Sequence, residues 1–406
     1  MMQTQEDFLK IMSKALHGEQ IASEPPGDEL QEILAIAVKQ HLLPVILEAF
    51  PGACVPDSER SVLAIYKQLA IGQVTQQAGH TLDFLALYRY LRKEGLHPVV
   101  VKGEICSRLY PQQYHRISVD NDLYLEKTEL RACHRALVAY GLQTDTPEEQ
   151  LHLKDEITYQ DKNQDGNNRF YIEVHNALFD TDPDAPGNLN ACFTDILQNA
   201  VEIDGMLAMS PQDHLLYLIL HAFKHFIYSG VGIRQTCDIT LWAHAYSEQI
   251  DWQRLFESCK CVHAEIFAAA QWRIAECLGF PMPPDECWQN ITIDIDPMLE
   301  DMFAGGVFGA DSLTRLHTST VTLNAIQKSR RGKKTGIMRS IFPARTYMAG
   351  RYPYVQKCSF LLPVAWISRM IGYIGEVKHN ESSRVSDSLR LAKERIRLLK
   401  YYGVIE

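Results

Sequence analysis

Two acids spaced two residues apart, Asp120 and Asp122, constrain this chain more than any other feature. They lie near the end of the stretch from Lys102 to Leu125, which predicts a strand, a glycine turn, a short helix, a loop and a second strand. Side chains of a strand alternate between faces, so both carboxylates are expected to project together. Adjacent carboxylates repel unless a cation lies between them, and hard oxygen ligands suit Mg²⁺. The pattern therefore predicts a Mg²⁺ or Mn²⁺ site of the kind that phosphoryl and nucleotidyl transfer require.

The turn before these acids has the features of a phosphate site. Gly103 permits backbone conformations that other residues resist, and a helix over Glu104–Tyr110 would direct its N-terminal amides at a bound phosphate. Lys102 is expected either to contact that phosphate or to close the strand at the surface. Arg116 is expected either to reach phosphate oxygens as a fork or to order the loop by pairing with one of the two acids.

Two further strands are predicted downstream, over Ile157–Gln160 and Arg169–His175. The turn cluster KNQDGNN separates them, and an Asp-Gly step between alternating segments is typical of a hairpin. Along the second strand Tyr171, Glu173 and His175 share one face, while Phe170, Ile172 and Val174 face the other way. This alternation predicts a strand with one polar and one buried face.

The residues around the acids resemble a known family. Lys102-Gly103, Tyr110-Pro111, and Arg116 ahead of Asp120-Asn121-Asp122 are similar to the pattern of the bacterial group of uncharacterised nucleotidyltransferases. That group lies within the polymerase-β-type nucleotidyltransferase superfamily. The resemblance implies that Asp120 and Asp122 are catalytic and hold the metal, and that Lys102, Gly103 and Arg116 bind the nucleotide.

The resemblance also implies a third carboxylate at the metal site and a helix that lines the substrate cleft. Glu173 matches the third acid, as a metal ligand or as a general base that takes the proton of an acceptor hydroxyl, and His175 is placed to assist it. The match of H-A-F-K-H implies that His221, Lys224 and His225 bind the nucleotide or the acceptor. Helical histidines are, however, often hydrogen-bonded core residues, so both interpretations of this helix stay open.

The predicted fold class is α+β, with a small mixed-sheet nucleotidyltransferase core between helical regions. We expect an N-terminal helical region over 1–80, the catalytic core over 81–205 and a larger C-terminal helical region over 206–406. The helical pattern between 57 and 93 is expected to break near Gly79, and a bundle helix is expected from Trp252 to Leu278.

Charge, cysteine spacing and hydropathy exclude several classes of protein. The net charge of −10 argues against a dedicated nucleic-acid binder, which normally carries a basic excess. Ten cysteines without paired spacing favour a reducing, cytoplasmic location, and we expect neither a signal peptide nor a transmembrane segment. Residues 328–351 hold eight Lys or Arg and no acid, which predicts either a weak site for an anionic partner or a solvated loop.

Together these features predict a nucleotidyltransferase. It would move a nucleoside monophosphate from a Mg²⁺-bound or Mn²⁺-bound NTP to a hydroxyl of a small-molecule, peptide or protein acceptor, and release pyrophosphate. The alternative is a catalytically degenerate protein of the same fold that binds a nucleotide or a partner and regulates a pathway. Neither the acceptor, the preferred base nor the oligomeric state can be predicted from the sequence.

Overall fold

The computed structural model describes residues 3–21, 29–50, 60–118, 120–161, 170–179, 188–228, 230–306 and 385–405. The basic stretch 328–351 and the turn cluster KNQDGNN therefore lie outside the described residues. Element labels below refer to the described part of the chain.

A six-stranded mixed sheet forms the centre of the fold. Its strands are β1 Val99–Val101, β2 Asn121–Tyr124, β3 Glu156–Gln160, β4 Tyr171–His175, β5 Val201–Ile203 and β6 Met206–Ala208. They lie in the order β3-β4-β2-β1-β6-β5. β2 runs parallel to β4 and β1 parallel to β6, while the pairs β1–β2, β3–β4 and β5–β6 are antiparallel. The predicted hairpin of β3 and β4 is confirmed, and so is the α+β fold class.

Helices make up most of the remaining described residues. They are α1 Gln3–Leu16, α2 Leu30–Lys39, α3 Leu43–Leu47, α4 Arg60–Lys93, α5 Gly103–Ser107, α6 Leu130–Tyr140, α7 Pro211–Tyr228, α8 Ile233–Ala245, α9 Trp252–Cys261, α10 Glu265–Cys277, α11 Glu286–Gln289, α12 Asp296–Gly305 and α13 Val385–Tyr401. None of the helices that the structure describes is long and apolar enough to cross a membrane.

The expected break near Gly79 is wrong, because α4 runs unbroken for 34 residues. A glycine inside a helix costs only about 1 kcal/mol relative to alanine. Thr81, Phe84 and Tyr88 are buried at helical spacing along one face. Their packing outweighs the local preference of a single glycine.

The expected continuous helix from Trp252 to Leu278 is also wrong. His263 takes a left-handed conformation with a φ of 60°, between α9 and α10. The amide of Ala264 reaches back to donate to the carbonyl of Cys259 at 2.8 Å, which closes the end of α9. The apolar periodicity continues through this break, and for that reason the pattern alone did not reveal it.

The chain divides into two compact units. The first comprises residues 1–223 and 231–307 and contains the whole sheet. The second comprises residues 224–230 and 308–406, and in it Tyr402 packs edge-on against Phe226 while the Arg395 guanidinium lies over the same ring. The functional division predicted above, with boundaries near residues 80 and 205, stays a prediction.

Replacing Gly79 by Ala should raise the free energy of unfolding by about 0.5–1 kcal/mol, because alanine has less backbone entropy to lose in a helix. An added Cβ at Gly79 meets nothing within 4 Å among the described residues. Urea unfolding followed by circular dichroism measures the change.

The matched control is Gly279→Ala. Gly279 has a φ of +82°, and an added Cβ would lie 2.8 Å from Oγ of Ser13. This variant should lose about 1–2 kcal/mol from left-handed strain alone. A destabilised Gly79→Ala variant would mean that α4 bends at this position.

Candidate functional site

Three side chains that can bind a metal ion meet on β2 and β4. The parallel register of the two strands sets Asp122 opposite Glu173, and His175 lies two residues further along β4 on the same face. Nε2 of His175 lies 2.9 Å from Oδ1 of Asp122 and 3.7 Å from Oε2 of Glu173. One ligand atom from each residue lies within 4.8 Å of the other two. The strand pleat alone therefore brings two carboxylates and an imidazole to one point.

Burial makes these charges influence one another strongly. Burial by itself raises the pKa of Asp122, but the charge of Lys102 and the hydrogen bond with His175 hold that pKa below its ordinary value. Burial raises the pKa of Glu173 to about 8, assisted by the negative charges of Asp122, Asp120 and Glu156. A carboxylate crowded in this way gains from a nearby cation.

Burial acts on the pKa of His175 in the opposite direction. Its burial lowers the pKa of the imidazole, and the hydrogen bond and charge of Asp122 outweigh that effect and raise it. On its other side, Nδ1 of His175 lies 3.9 Å from Oε2 of Glu156 on β3. The ring is thus oriented from both sides by carboxylates.

Lys102 occupies a strained position at the end of β1. Its φ is 54°, a region that residues other than glycine seldom adopt, and Gly103 follows with a φ of 23°. The ammonium lies 3.0 Å from Oδ2 of Asp122 and 3.2 Å from Nε2 of His221. The charge of Asp122 outweighs burial and raises the pKa of Lys102, so the ammonium stays protonated. Strain of this kind persists only where surrounding contacts fix it.

His214 on α7 provides one of those contacts. The backbone amide of Lys102 donates to Nε2 of His214 at 3.1 Å. Burial lowers the pKa of His214 to about 3, so the ring is neutral and can accept this hydrogen bond. α7 therefore holds Lys102 by its backbone through His214 and by its side chain through His221.

Asp120 lies immediately before β2 and is partly exposed. Its negative charge contributes to the raised pKa values of Lys102 and Glu173, so it faces the same region. It is not one of the three residues whose ligand atoms lie within 4.8 Å of each other. Its role as a metal ligand stays a prediction.

Arg116 takes a partner that the sequence did not indicate. Its Nε and Nη2 donate to the two carboxylate oxygens of Asp238 on α8, at 2.8 and 2.7 Å. The hydroxyl of Tyr110 donates to the same carboxylate at 2.9 Å, and Nη1 of Arg116 donates to Oγ of Ser118. The expected pairing of Arg116 with Asp120 or Asp122 is wrong, because this buried bidentate pair with Asp238 takes its place. A contact of Arg116 with a nucleotide stays a prediction.

A second polar network lies between the same loop and α4. Oγ1 of Thr81 donates to Oε1 of Glu104 at 2.6 Å, and the amide of Ser118 donates to Oε1 of Gln77 at 2.7 Å. Glu104 is only 3% exposed, and burial raises the pKa of its carboxyl more than Thr81 and nearby arginines lower it. The acid after the Lys102-Gly103 turn is thus directed at α4.

The predicted helix α5 is shorter than expected and ends at Ser107. Gly103 opens it, and a Cβ there would come within 3.8 Å of the backbone oxygen of Asp120. Lys224 and His225 lie on α7 beyond His221 and belong to the second compact unit. Their part in nucleotide binding stays a prediction.

Sequence reasoning undervalued His175 and missed His214 and Asp238. The signal for His175 was present, since alternation along β4 already put it on the face of Glu173. His214 lies seven residues before His221, two helical turns away on the same face of α7. No local signal paired Asp238 with Arg116, because the two residues lie 122 positions apart in the chain.

Comparison with protein families gives one match. Residues 26–279 match the family described as uncharacterised nucleotidyltransferase, which covers more than half of the chain and includes the sheet and all of the site residues named above. No curated protein and no solved structure matches this chain.

Replacing Asp238 by Asn should lower the free energy of unfolding by about 3–5 kcal/mol, because it leaves the Arg116 guanidinium buried without its counter-charge. Tyr110→Phe removes one hydrogen bond from the same carboxylate and should cost about 1.5 kcal/mol. Urea unfolding of both variants beside the wild type measures the two losses. Equal losses would contradict the dominant role of the ion pair.

Replacing Glu104 by Gln should change how stability depends on pH. A carboxyl whose folded pKa is raised contributes stability that is full below its unfolded pKa, near 4.5, and is lost as pH rises through the folded pKa. Glutamine keeps an acceptor for Thr81 and cannot ionise. The melting temperature of Glu104→Gln should therefore exceed that of the wild type by a margin that grows above pH 4.5. Parallel profiles from pH 4 to 8 would mean that Glu104 has the same pKa in the folded and unfolded states, which would contradict the raised pKa.

Proposed function

The chain belongs to the family of uncharacterised nucleotidyltransferases, and from this membership we propose that it joins a nucleoside monophosphate from an NTP to an acceptor hydroxyl. Nucleotidyl transfer as a class of reaction, and the identity of the chain as a transferase, follow from the family. The release of pyrophosphate and the hydroxyl acceptor are the parts that we propose. The observation that carries them is the meeting of Asp122, Glu173 and His175 on adjacent strands.

A divalent metal fits the residues present. Burial and the negative charge of Asp122 raise the pKa of Glu173, and a cation between the two carboxylates would remove their repulsion. Asp120 or His175 would complete the set. Oxygen ligands suit Mg²⁺, and an imidazole in the set favours Mn²⁺. When bound, the metal would neutralise charge that develops on the phosphates.

The proton of the acceptor hydroxyl needs a base nearby. Glu173 has a pKa of about 8, close to the pH at which a general base works best, and its oxygen lies 3.7 Å from Nε2 of His175. We assign Glu173 to hold the metal or to receive this proton, and His175 to orient Asp122. These roles use the two residues that β4 directs to the site face.

The nucleotide phosphates would bind beside Lys102. Its ammonium is charged and held at the site by Asp122 and His221, so positive charge is fixed where a triphosphate would lie. Gly103 keeps the turn narrow beside it. Arg116 supports this turn through Ser118.

A second candidate function has one observation in its favour. The Lys102 ammonium lies 3.0 Å from Oδ2 of Asp122, so this carboxylate has a counter-charge without an added metal. A catalytically degenerate protein that binds a nucleotide or a partner would keep such a pair. NTP-dependent thermal stabilisation without pyrophosphate release would support this candidate.

The test is pyrophosphate release from each of the four NTPs, with Mg²⁺ or Mn²⁺ and the small molecules of a cell extract as acceptor source. Asp122→Asn and Glu173→Gln should each lower the rate by about 10²–10³-fold, because charge stabilisation in the transition state is lost. Asp83→Asn, on the exposed face of α4, is the matched control and should leave the rate unchanged.

The two variants must be shown to be folded, because Asp122→Asn also leaves Lys102 without its partner. Circular dichroism and thermal unfolding provide that check. If both folded variants keep the wild-type rate of release, the carboxylates do not carry the chemistry and the proposal is wrong.

A further inference from the structure

A polar groove of about 320 Å³ lies along the edge strand β3 of the sheet. Its volume is within the range of about 300–1,000 Å³ that small-molecule sites occupy. All of its lining side chains are polar or charged. They include Thr144, Thr146, Lys154, Glu156, Thr158 and Gln160.

The groove begins where the carboxylate site ends. Thr158 lies opposite Glu173 in the β3–β4 register, and Glu156 lies opposite His175. Residues paired across a sheet share a face, so these two groove residues stand beside the proposed base. Oε2 of Glu156 is 3.9 Å from Nδ1 of His175, which joins the two regions directly.

The lining matches one kind of ligand. Threonine hydroxyls and a glutamine amide both donate and accept hydrogen bonds, as the hydroxyl groups of a sugar or polyol do. The groove offers no aromatic ring or aliphatic surface for a nucleobase or an apolar ligand among its lining residues. The Lys154 ammonium adds one strong donor, and the carboxylates of Asp145 and Glu156 add two strong acceptors.

A peptide fits this edge less well. A polypeptide would pair with β3 along its free edge, as added strands do. Gln143 already occupies part of that edge, because its backbone exchanges two hydrogen bonds with Gln160, at 2.8 and 2.9 Å. The remaining edge is too short for several consecutive main-chain pairs.

We propose that this groove is the acceptor subsite and that the acceptor is a small polyhydroxylated molecule, a sugar or a cyclic polyol. The inference rests on the proposed nucleotidyl transfer. An acceptor hydroxyl oxygen forms a bond to the α-phosphorus, and the bond from that phosphorus to the oxygen bridging to the β-phosphate breaks. Pyrophosphate leaves with the electron pair, and the hydroxyl proton passes to Glu173.

The experiment uses glucose and myo-inositol as probes, and an N-acetylated seryl amide as the peptide comparison. Pyrophosphate release is measured without acceptor and with each probe, on the full chain. Glucose or myo-inositol should raise release above the acceptor-free rate, while the seryl amide should not. Thr158→Val and Lys154→Met should each raise the KM of the active polyol about tenfold, the factor that one lost hydrogen bond gives.

The KM of the NTP should stay at its wild-type value in these variants, since the groove is proposed to bind the acceptor and not the nucleotide. Thr128→Val, an exposed threonine outside the groove, is the matched control and should change nothing. Stimulation by the seryl amide alone would overturn the proposal in favour of a peptide acceptor. A polyol KM that neither variant changes would place the acceptor elsewhere and also overturn it.

Binding of the same probes, followed by saturation-transfer NMR, tests the polyol groove separately from nucleotidyl transfer. If pyrophosphate is never released but myo-inositol or glucose binds and Thr158→Val abolishes the signal, the transferase proposal fails and the groove stands as a polyol site. If release occurs and no polyol either stimulates it or binds, the groove assignment fails while nucleotidyl transfer stands.

Discussion

The ion pair between Lys102 and Asp122 is the interaction on which the site depends. It joins the end of β1 to β2, and His214 and His221 attach the same lysine to α7. Removing either member of such a pair would leave a buried charge uncompensated. The pair also sets a condition on any metal. A divalent cation at Asp122 would share that carboxylate with an ammonium group, so the added positive charge would favour the ionised form of Glu173.

The carboxylate face could be predicted from the sequence because it depends on short-range geometry. Alternation along β4 puts Glu173 and His175 on one face without reference to the rest of the fold. The family resemblance implied that β4 lies beside β2, because a local sequence pattern does not predict the order of strands in a sheet. The pair of Arg116 and Asp238 lay beyond prediction, because it needs the position of α8 relative to a loop far away in the chain.

The positions where helices end also depend on both local and tertiary effects. Gly79 weakens α4 locally, yet the buried residues on either side hold the helix straight through it. Between α9 and α10 the local pattern favours a helix, and a left-handed His263 ends it. Burial decides the outcome at Gly79, and a backbone conformation decides it at His263. The apolar pattern of a single sequence shows neither.

The long α4 also limits how this protein can evolve. Thr81 bonds Glu104 beside the site, and two turns later the hydroxyl of Tyr88 donates to the carbonyl of Pro98 and accepts from the amide of Leu207. One inserted residue between them would rotate one anchor relative to the other by about 100°. Relatives should therefore tolerate substitutions along this segment and exclude insertions or deletions within it.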